Sequence, residues 1–397
     1  MKQKNKMYIL FAIIIAGMCL RPSITGLGSL LKLIKPDLGL SDTASGLLTT
    51  IPLITFAVVS PLVNGWNTKI GTFRTLALGF LLIAGGTLVR SFCGVSGLYV
   101  GTFFIGSGIA CGNVLMPAII KSEFPQKYGL VTALNSVGLA ISSALASGFN
   151  YPLASDAGLG WRNTLCIYAV AAVIAVAVWV PARDVSIHTG KSGGSSRMLR
   201  NGTAWAVTLF LGIEALAFYS CSAWLSTIFQ AKGLDAATAG YYVSCFQLTG
   251  IPASFLVPTL AGRYRDQRKV AYGVVGVFLL GIVMMACTVS RPVLLAAALL
   301  AGFGCNGGFA LSMAFIGFRT GNGTDAVQLS GMSQSLGYVI AAFGPIGMGL
   351  IHDRLGDWNW NLWLIAALLV VLLIVSTQSA KDTVIDLEGP EPIGSST

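Results

Sequence analysis

The chain has 397 residues, of which 54% are hydrophobic and only 10% are charged. Soluble proteins carry about a quarter charged residues, so this composition leaves too little polar surface for a water-soluble globule. A formal net charge of +10 would point to a nucleic-acid interface in a soluble domain. In a chain with many membrane spans, the same excess reflects basic loops on the cytoplasmic side. The composition therefore indicates an integral membrane protein, and nucleic-acid binding is not expected.

Apolar runs long enough to cross a hydrocarbon core of about 30 Å recur along almost the whole chain. Short breaks that are charged or contain Gly and Pro separate them. We predict twelve transmembrane helices, and hence an all-α integral membrane protein. The predicted spans are 8–31, 44–66, 73–92, 96–119, 130–153, 161–180, 203–229, 238–260, 270–289, 293–316, 329–351 and 360–378.

Basic residues are distributed unevenly between the two sets of loops. If the N-terminus lies inside, 17 of the 25 Lys and Arg residues fall in cytoplasmic segments and 7 in outer loops. The remaining one, Arg21, lies inside a span. This bias predicts that both termini are cytoplasmic.

The longest inner connection, residues 181–201, is basic and contains the Gly/Ser run 192–196. Such a composition is typical of a flexible linker, and this one divides six spans from six. The tail after Lys381 is acidic, contains two prolines and has little apolar surface to bury, so we expect it to be disordered. The predicted divisions are an N-terminal six-helix half (1–180), a cytoplasmic linker (181–201), a C-terminal six-helix half (202–380) and a disordered cytoplasmic tail (381–397).

The two halves match each other at an offset close to 197 residues. Span five contains Asn-Ser-Val-Gly at 135–138, and span eleven contains Gln-Ser-Leu-Gly at 334–337. Pro61 and Pro258 occupy equivalent loop positions. Two pseudo-symmetric six-helix halves joined by a basic linker resemble the plan of the major facilitator superfamily. This resemblance implies a substrate site near the bilayer midplane, between the halves.

Short cytoplasmic loops strengthen the resemblance. Residues 262–266, followed by basic residues, resemble the Gly-x-x-x-Asp-basic loop of that superfamily, and the loop after span two is a degraded copy without the acidic residue. Such a loop joins two helices that slide when the halves rock, so its charges can lock one state. The alternative is that the basic residues only fix topology. The predicted gating residues are Lys69, Arg74, Arg263, Asp266 and Arg268.

Two ionisable residues fall near the middle of predicted spans, Arg21 in span one and Glu214 in span seven. A charge in hydrocarbon costs at least a few kcal/mol, so each must face a cavity or a partner. Arg21 offers a planar fork suited to a small anion or a flat polar group. Glu214 is the candidate for proton coupling, because a carboxylate facing an aqueous chamber can exchange protons. A structural ion pair between the two is the alternative.

Further polar and aromatic residues are expected on the cavity side of the spans. Each of them can instead pack or hydrogen-bond between helices. Phe218 lies one helical turn from Glu214 and therefore ranks above Tyr219, which is turned away on a helical wheel. The predicted substrate-binding residues are Arg21, Thr25, Asn113, Asn135, Phe218, Tyr219, Trp224, Gln247, Asn306, Gln334 and Tyr338.

Several stretches resemble the cyanate and 2-nitroimidazole porter family within the major facilitator superfamily, and the 2-nitroimidazole branch is the more similar. They cover nearly the full length of the chain. The matching stretches are Leu20-Arg21-Pro22, residues 46–52, 112–117 and 207–213, and Leu329 to Tyr338. This resemblance implies a transporter of a small anion or a nitroaromatic compound.

The sequence thus favours a monomeric, proton-coupled secondary transporter in a bacterial cytoplasmic membrane. A multidrug-type efflux pump or a lipid flippase on the same fold is the alternative. A membrane-embedded enzyme lacks support, because no nucleophile–base set or phosphate-binding loop is visible. The eight cysteines lie in or beside apolar stretches without metal-ligand spacing, so we expect free thiols, no metal and no cofactor.

Overall fold

A computed structural model describes residues 2–124, 127–182, 185, 198–321 and 323–385. Within these residues the chain is helical, and twelve stretches are long and apolar enough to span a membrane. This confirms the predicted all-α class and the twelve spans. The helices are α1 (Lys2–Leu20), α2 (Pro22–Thr25), α3 (Leu31–Leu38), α4 (Asp42–Ile70), α5 (Thr72–Phe92), α6 (Gly94–Glu123), α7 (Tyr128–Ser155), α8 (Gly160–Trp179), α9 (Gly202–Ala231), α10 (Ala236–Leu248), α11 (Gly250–Ala261), α12 (Arg268–Cys287), α13 (Arg291–Phe318), α14 (Gly323–Leu355) and α15 (Asn359–Ser379).

Two of the spans are interrupted. The first runs from Lys6 to Leu38 through α1, α2 and α3, and the eighth runs from Ala236 to Ala261 through α10 and α11. The predicted first span ends too early, at residue 31. The charged residues of α3 lower the hydropathy of that segment, although α3 continues the span to Leu38. Gly39 then ends α3 in the left-handed conformation, at φ 64°, which glycine adopts without steric cost.

Local sequence explains where several helices begin. The Asn201 side chain accepts hydrogen bonds from the N–H groups of Thr203 and Ala204 at the start of α9. Asp235 accepts one from Thr238 N–H at the start of α10. These side chains satisfy backbone donors that a helix leaves free in its first turn.

The spans form two six-helix halves, with α1–α8 in the N-terminal half and α9–α15 in the C-terminal half. Most of the predicted linker, residues 183–184 and 186–197, lies outside the described residues, as does tail segment 386–397. The first residues of the predicted tail are described, and they pack against the protein. Ile385 is buried, and its N–H donates to the carbonyl of Arg319 over 2.7 Å.

The halves meet tightly at the far end, by which we mean the end of the bundle that carries residues 39–41 and 356–358. The Thr50 hydroxyl of α4 donates to the Ala342 carbonyl of α14 over 2.9 Å. The Ser244 hydroxyl of α10 donates to the Ala144 carbonyl of α7 over 2.6 Å. Small residues permit this approach, since a Cβ at Gly46 would lie 2.5 Å from the Pro345 carbonyl oxygen.

Polar side chains complete the contact at the far end. Asp353 of α14 accepts hydrogen bonds from the N–H groups of Asp42 and Thr43, at 3.0 and 2.8 Å, and so caps α4 from the opposite half. His352 Nδ1 lies 2.8 Å from Asp42 Oδ2, and Lys35 pairs with the same carboxylate. Asp42, His352 and Asp353 bring ligand atoms together, but N–H and ammonium donors already engage both carboxylates.

A methyl group at Gly46 should open the far end. Gly46→Ala must push α4 away from the α14 backbone, and such overpacking typically costs about 1–3 kcal/mol. The test uses a background variant that lacks the native cysteines and carries Thr50→Cys. Adding Gly46→Ala to this background should raise the rate of labelling by a small water-soluble thiol reagent about tenfold. Gly85→Ala is the matched control, since nothing lies within 4 Å of a Cβ there. Equal labelling rates in both glycine variants would contradict the sealed interface.

Candidate functional site

The first span breaks at Arg21. α1 ends at Leu20, α2 begins at Pro22, and Arg21 lies between them at φ −119° and ψ −36°. Proline has no N–H, so it cannot bond back to the preceding helical turn. The carbonyl oxygen of Arg21 accepts hydrogen bonds from the N–H groups of Ile24 and Thr25, both at 3.1 Å, and these bonds start the next helical turn. Arg21 therefore lies at a break in the first membrane-spanning helix.

The Arg21 guanidinium lies against aromatic rings of the opposite half. Its carbon is 4.5 Å from the ring centroid of Phe218 on α9 and 5.8 Å from that of Phe309 on α13. A cation over an aromatic face at this distance is attracted by the negative ring face, the more so when water is excluded. Phe218 is fully buried. The contact thus joins the two halves through a single charged side chain.

Further rings extend this contact into an aromatic cluster, which comprises Phe56, Phe218, Tyr219, Phe309 and Tyr338. Tyr219 packs edge-on to Phe218 at 5.1 Å and lies 6.4 Å from Tyr338, and Tyr338 meets Phe56 at 5.5 Å. Tyr219 also lies close enough to Arg21 and to Tyr338 to interact electrostatically with both. Both Phe218 and Tyr219 therefore lie near the arginine, although the helical wheel ranks Phe218 above Tyr219.

Glu214 lies one turn before Phe218 on α9 and is fully buried. Among the described residues, neither carboxylate oxygen meets a nitrogen or oxygen partner at hydrogen-bonding geometry, and the Cys305 thiol is the polar group beside it. The carboxylate packs on Gly308 of α13, where a Cβ would lie 2.7 Å from Glu214 Cδ. A buried carboxyl group without a nitrogen or oxygen partner is rare in proteins, and this marks Glu214 as a candidate functional residue.

Arg21 and Glu214 do not form an ion pair in this structure. The described residues contain four ion pairs within 4.0 Å, and each involves other side chains. The structural pairing that the sequence leaves open is thus not present in this state. The two groups lie near each other across the interface between the halves, since Arg21 contacts Phe218, one turn from Glu214, and both interact electrostatically with Cys305.

The structure brings Arg21, Phe218, Tyr219 and Tyr338 together and gives four other predicted residues partners within the protein. Those four bonds join Thr25 Oγ1 to the Arg21 carbonyl at 3.2 Å, Trp224 Nε1 to the Pro345 carbonyl at 2.8 Å, Gln247 Nε2 to Ser222 Oγ at 3.4 Å and Asn306 Nδ2 to the Gly302 carbonyl at 2.9 Å. In this state these four side chains contribute to helix packing.

Three predicted amides are half-buried: Asn113, Asn135 and Gln334. Asn135 packs against Gly17 of α1, and its side-chain oxygen has no partner among the described residues. Gln334 Nε2 donates to Ser330 Oγ over 2.9 Å within α14. Their role as substrate ligands stays a prediction.

The predicted gating loop between α11 and α12 contains a bidentate pair. Arg268 Nε lies 3.0 and 2.9 Å from the two oxygens of Asp266, and this pairing lowers the pKa of Asp266 to about 2. The neighbouring Gln267 accepts a hydrogen bond from the buried Arg319, whose Nε also donates to the Ser379 carbonyl over 2.8 Å. The other predicted gating residues, Lys69, Arg74 and Arg263, are exposed.

Several residues of this region carry no signal in the sequence. Phe56 and Phe309 are apolar residues in apolar spans. The sequence around Gly308 indicates only close packing of helices. Arg90 lies near the end of a predicted span, where a charged residue is usually solvated, yet only 1% of it is exposed. Glu214 is therefore not alone among the fully buried charged residues of the spans, whereas Arg21 is half-buried.

An apolar cavity of about 380 Å³ lies outside the cluster, among α1, α7 and α8. Its lining reaches Cys19 and Pro22 at the break, and includes Phe149 and Ile167, whose exposed side chains face the lipid side of the bundle. No charged residue lines this cavity. It offers nothing to hold an anion, in contrast to the guanidinium of Arg21.

Comparison with known proteins agrees with this architecture. The profile of the Major Facilitator Superfamily matches residues 13–342. The transporter YycB of Bacillus subtilis is 36% identical over 96% of this chain and 95% of its own length. The 2-nitroimidazole transporter of Escherichia coli is 34% identical over 96% of this chain and 97% of its own. The cyanate transport protein CynX of E. coli is 27% identical over 93% of this chain and 96% of its own length. These values confirm the family resemblance and its nearer branch.

The fold is shared with a solved transporter. The crystal structure of a bacterial homolog of the human lysosomal transporter Spinster, in an inward-facing and unoccupied conformation, aligns with a TM-score of 0.79 at 16% identity. The alignment covers 96% of this chain and 98% of that one. The helical fold described above is thus shared with that protein along nearly the full length of both chains.

Proposed function

Because this chain belongs to the major facilitator superfamily, we propose that it is a secondary transporter whose substrate binds at Arg21. The substrate class that the site fits best is a small, flat solute that is anionic or carries a strongly polar group. The observation that carries this proposal is the Arg21 guanidinium at 4.5 Å from the Phe218 ring, at a helix break between the two halves.

The chemistry of the site supports this substrate class. A guanidinium that stacks on one ring keeps donors along its edge, which suit two oxygens of a carboxylate or nitro group. The aromatic cluster supplies flat apolar surfaces against which a planar solute stacks. Two relatives are named as transporters of 2-nitroimidazole and of cyanate, both small and polar. We favour a ring-containing solute, because the cluster offers more apolar face than cyanate covers.

The contacts between the halves support transport by alternating access. The far end is sealed by α4 against α14 and by α7 against α10, where small residues and hydrogen bonds hold the helices together. We place both termini in the cytoplasm of a bacterial cell, so that the far end faces outward and the contacts there close the site on its outer side. Rocking of the halves about the site then carries the solute across as a monomer within the lipid bilayer.

Proton coupling is assigned to Glu214. An unpaired carboxylate charge in a buried site costs several kcal/mol, and a proton removes that cost. The carboxyl group lies one turn from the ring that supports Arg21, so substrate and proton sit close enough to affect each other. Efflux of larger drugs or flipping of lipids remains the alternative on this fold, and the compact aromatic cluster favours the smaller solute.

A thermal-shift series on the purified protein tests the proposal. The probes are 2-nitroimidazole, 4-hydroxybenzoate and sodium cyanate, each at two pH values, with benzylamine as a flat but cationic control. A ligand at 100 times its Kd stabilises the folded state by about 2.7 kcal/mol, which moves the melting temperature by several degrees. We expect a flat anionic or nitroaromatic probe to stabilise the protein and benzylamine to leave it unchanged. Equal stabilisation by benzylamine would contradict an arginine-centred site.

A further inference from the structure

The break in the first span frees backbone groups that the bilayer cannot satisfy. In hydrocarbon each unpaired carbonyl or N–H costs several kcal/mol, so a broken helix needs partners from its neighbours. Residues 21–30 form one helical turn and a 3-10 turn at Gly28–Leu30, in place of a continuous helix. Three side chains, one each from α5, α7 and α8, hold this segment through hydrogen bonds.

Arg90 of α5 supplies the first contact. Its Nη1 donates to the Ser23 carbonyl over 2.8 Å, two residues after Arg21. Its Nε and Nη2 have no partner among the described residues, and none of the ion pairs found there includes it. Burying an arginine with a single carbonyl as its partner is costly. That bond therefore points to a specific need to hold the backbone at Ser23.

Asn150 and Tyr168 supply the second contact. Asn150 Nδ2 of α7 donates to the Gly26 carbonyl over 2.8 Å, and the Tyr168 hydroxyl of α8 donates to Asn150 Oδ1 over 2.6 Å. The tyrosine thus fixes which way the amide points. Gly26 leaves no room for a side chain, because a Cβ there would lie 2.6 Å from Asn150 Nδ2. The carbonyls of Ser23 and Gly26 are therefore held from two directions.

We propose that Arg90, Asn150 and Tyr168 are positioning residues for the transported solute, and we call them the backbone clamp. They fix the broken segment so that the Arg21 guanidinium stays on the Phe218 ring. This inference rests on the proposed function of Arg21. It gives a buried arginine outside the binding site a role in affinity, exerted through the backbone and without contact to the solute.

Hydrogen–deuterium exchange and probe affinity test the backbone clamp together. Arg90→Met should raise exchange of the amides at residues 21–30 about tenfold and weaken binding of the best thermal-shift probe about tenfold. Tyr168→Phe, which removes one hydroxyl, should give the same changes at about threefold, and Arg90→Lys should restore part of both. Ser91→Ala is the matched control, because Ser91 is buried beside Arg90 but bonds only to the Thr87 carbonyl of its own helix.

A double-variant measurement separates positioning from general destabilisation. In an Arg21→Lys background the clamp variants should still raise exchange but weaken binding no further, since the group they position is gone. Additive losses of affinity, or exchange at residues 21–30 equal to that of Ser91→Ala, would overturn the backbone clamp. If instead Arg21→Lys alone leaves affinity unchanged while Arg90→Met still raises exchange, the proposed binding role of Arg21 fails and the backbone contact stands.

Discussion

Replacing Arg21 with lysine is expected to weaken binding of the solute by about 10- to 100-fold. Lysine keeps the positive charge but loses the planar fork and its stacking on Phe218. Loss of a desolvated stacked contact and of one charge-assisted hydrogen bond corresponds to about 1.4–3 kcal/mol. Titration calorimetry with the probe that stabilises the protein most gives the affinity of both proteins.

The matched control for this substitution lies at the far end. Arg162 also stacks on a ring, at 4.3 Å from the Trp161 centroid, and pairs with Asp37 over 2.7 Å, but it is partly exposed and remote from the cluster. Arg162→Lys should therefore leave the affinity at its original value. Wild-type affinity of Arg21→Lys for the probe, or an equal loss of affinity in both variants, would show that Arg21 does not bind the solute.

Replacing Glu214 with glutamine is expected to abolish accumulation of the solute driven by a pH gradient. Exchange of solute between the inside and the outside of the vesicle should continue. Glutamine has the shape of the protonated acid but cannot release a proton. The solute should therefore still bind at Arg21 and cross in both directions. Uptake and counterflow in proteoliposomes measure the two processes separately, and we expect accumulation to fall to the level set by equilibration.

Two further variants sharpen this test. Glu123→Gln at the end of α6 removes a carboxylate that is not fully buried, and it should preserve accumulation. Gly308→Ala places a methyl group 2.7 Å from Glu214 Cδ, and the flexible end of that side chain can move aside, so we expect normal folding but impaired accumulation. Gradient-driven accumulation retained in Glu214→Gln would show that coupling lies in another group.

Much of the fold could be predicted because the bilayer imposes a simple rule. Apolar runs must span it as helices, so hydropathy alone locates the twelve spans. The location of Arg21 and Glu214 within spans could be predicted for the same reason, since a charge in the middle of an apolar run stands out. The end of the first span could not, because α3 contains Lys32, Lys35 and Asp37, which lower its hydropathy although it continues the span.

The rest of the site depends on contacts between helices that are far apart in sequence. Phe309 differs in no local way from other apolar residues of α13, and only the packing of α13 beside α9 places it next to Phe218 and within 5.8 Å of Arg21. Arg90 lies in the last turn of α5, where a sequence pattern suggests a solvated charge. Its burial follows from the break in the neighbouring span, which leaves the Ser23 carbonyl in need of a donor.

The central claim is that a small flat solute binds against Arg21 and Phe218, and a structure of the protein with the best thermal-shift probe bound tests it most directly. We predict density for the ring within about 4–5 Å of an aromatic face of the cluster, with the polar group of the probe against the Arg21 guanidinium. Density confined to the apolar cavity among α1, α7 and α8, with the contact between Arg21 and Phe218 unchanged and no solute beside it, would contradict the account.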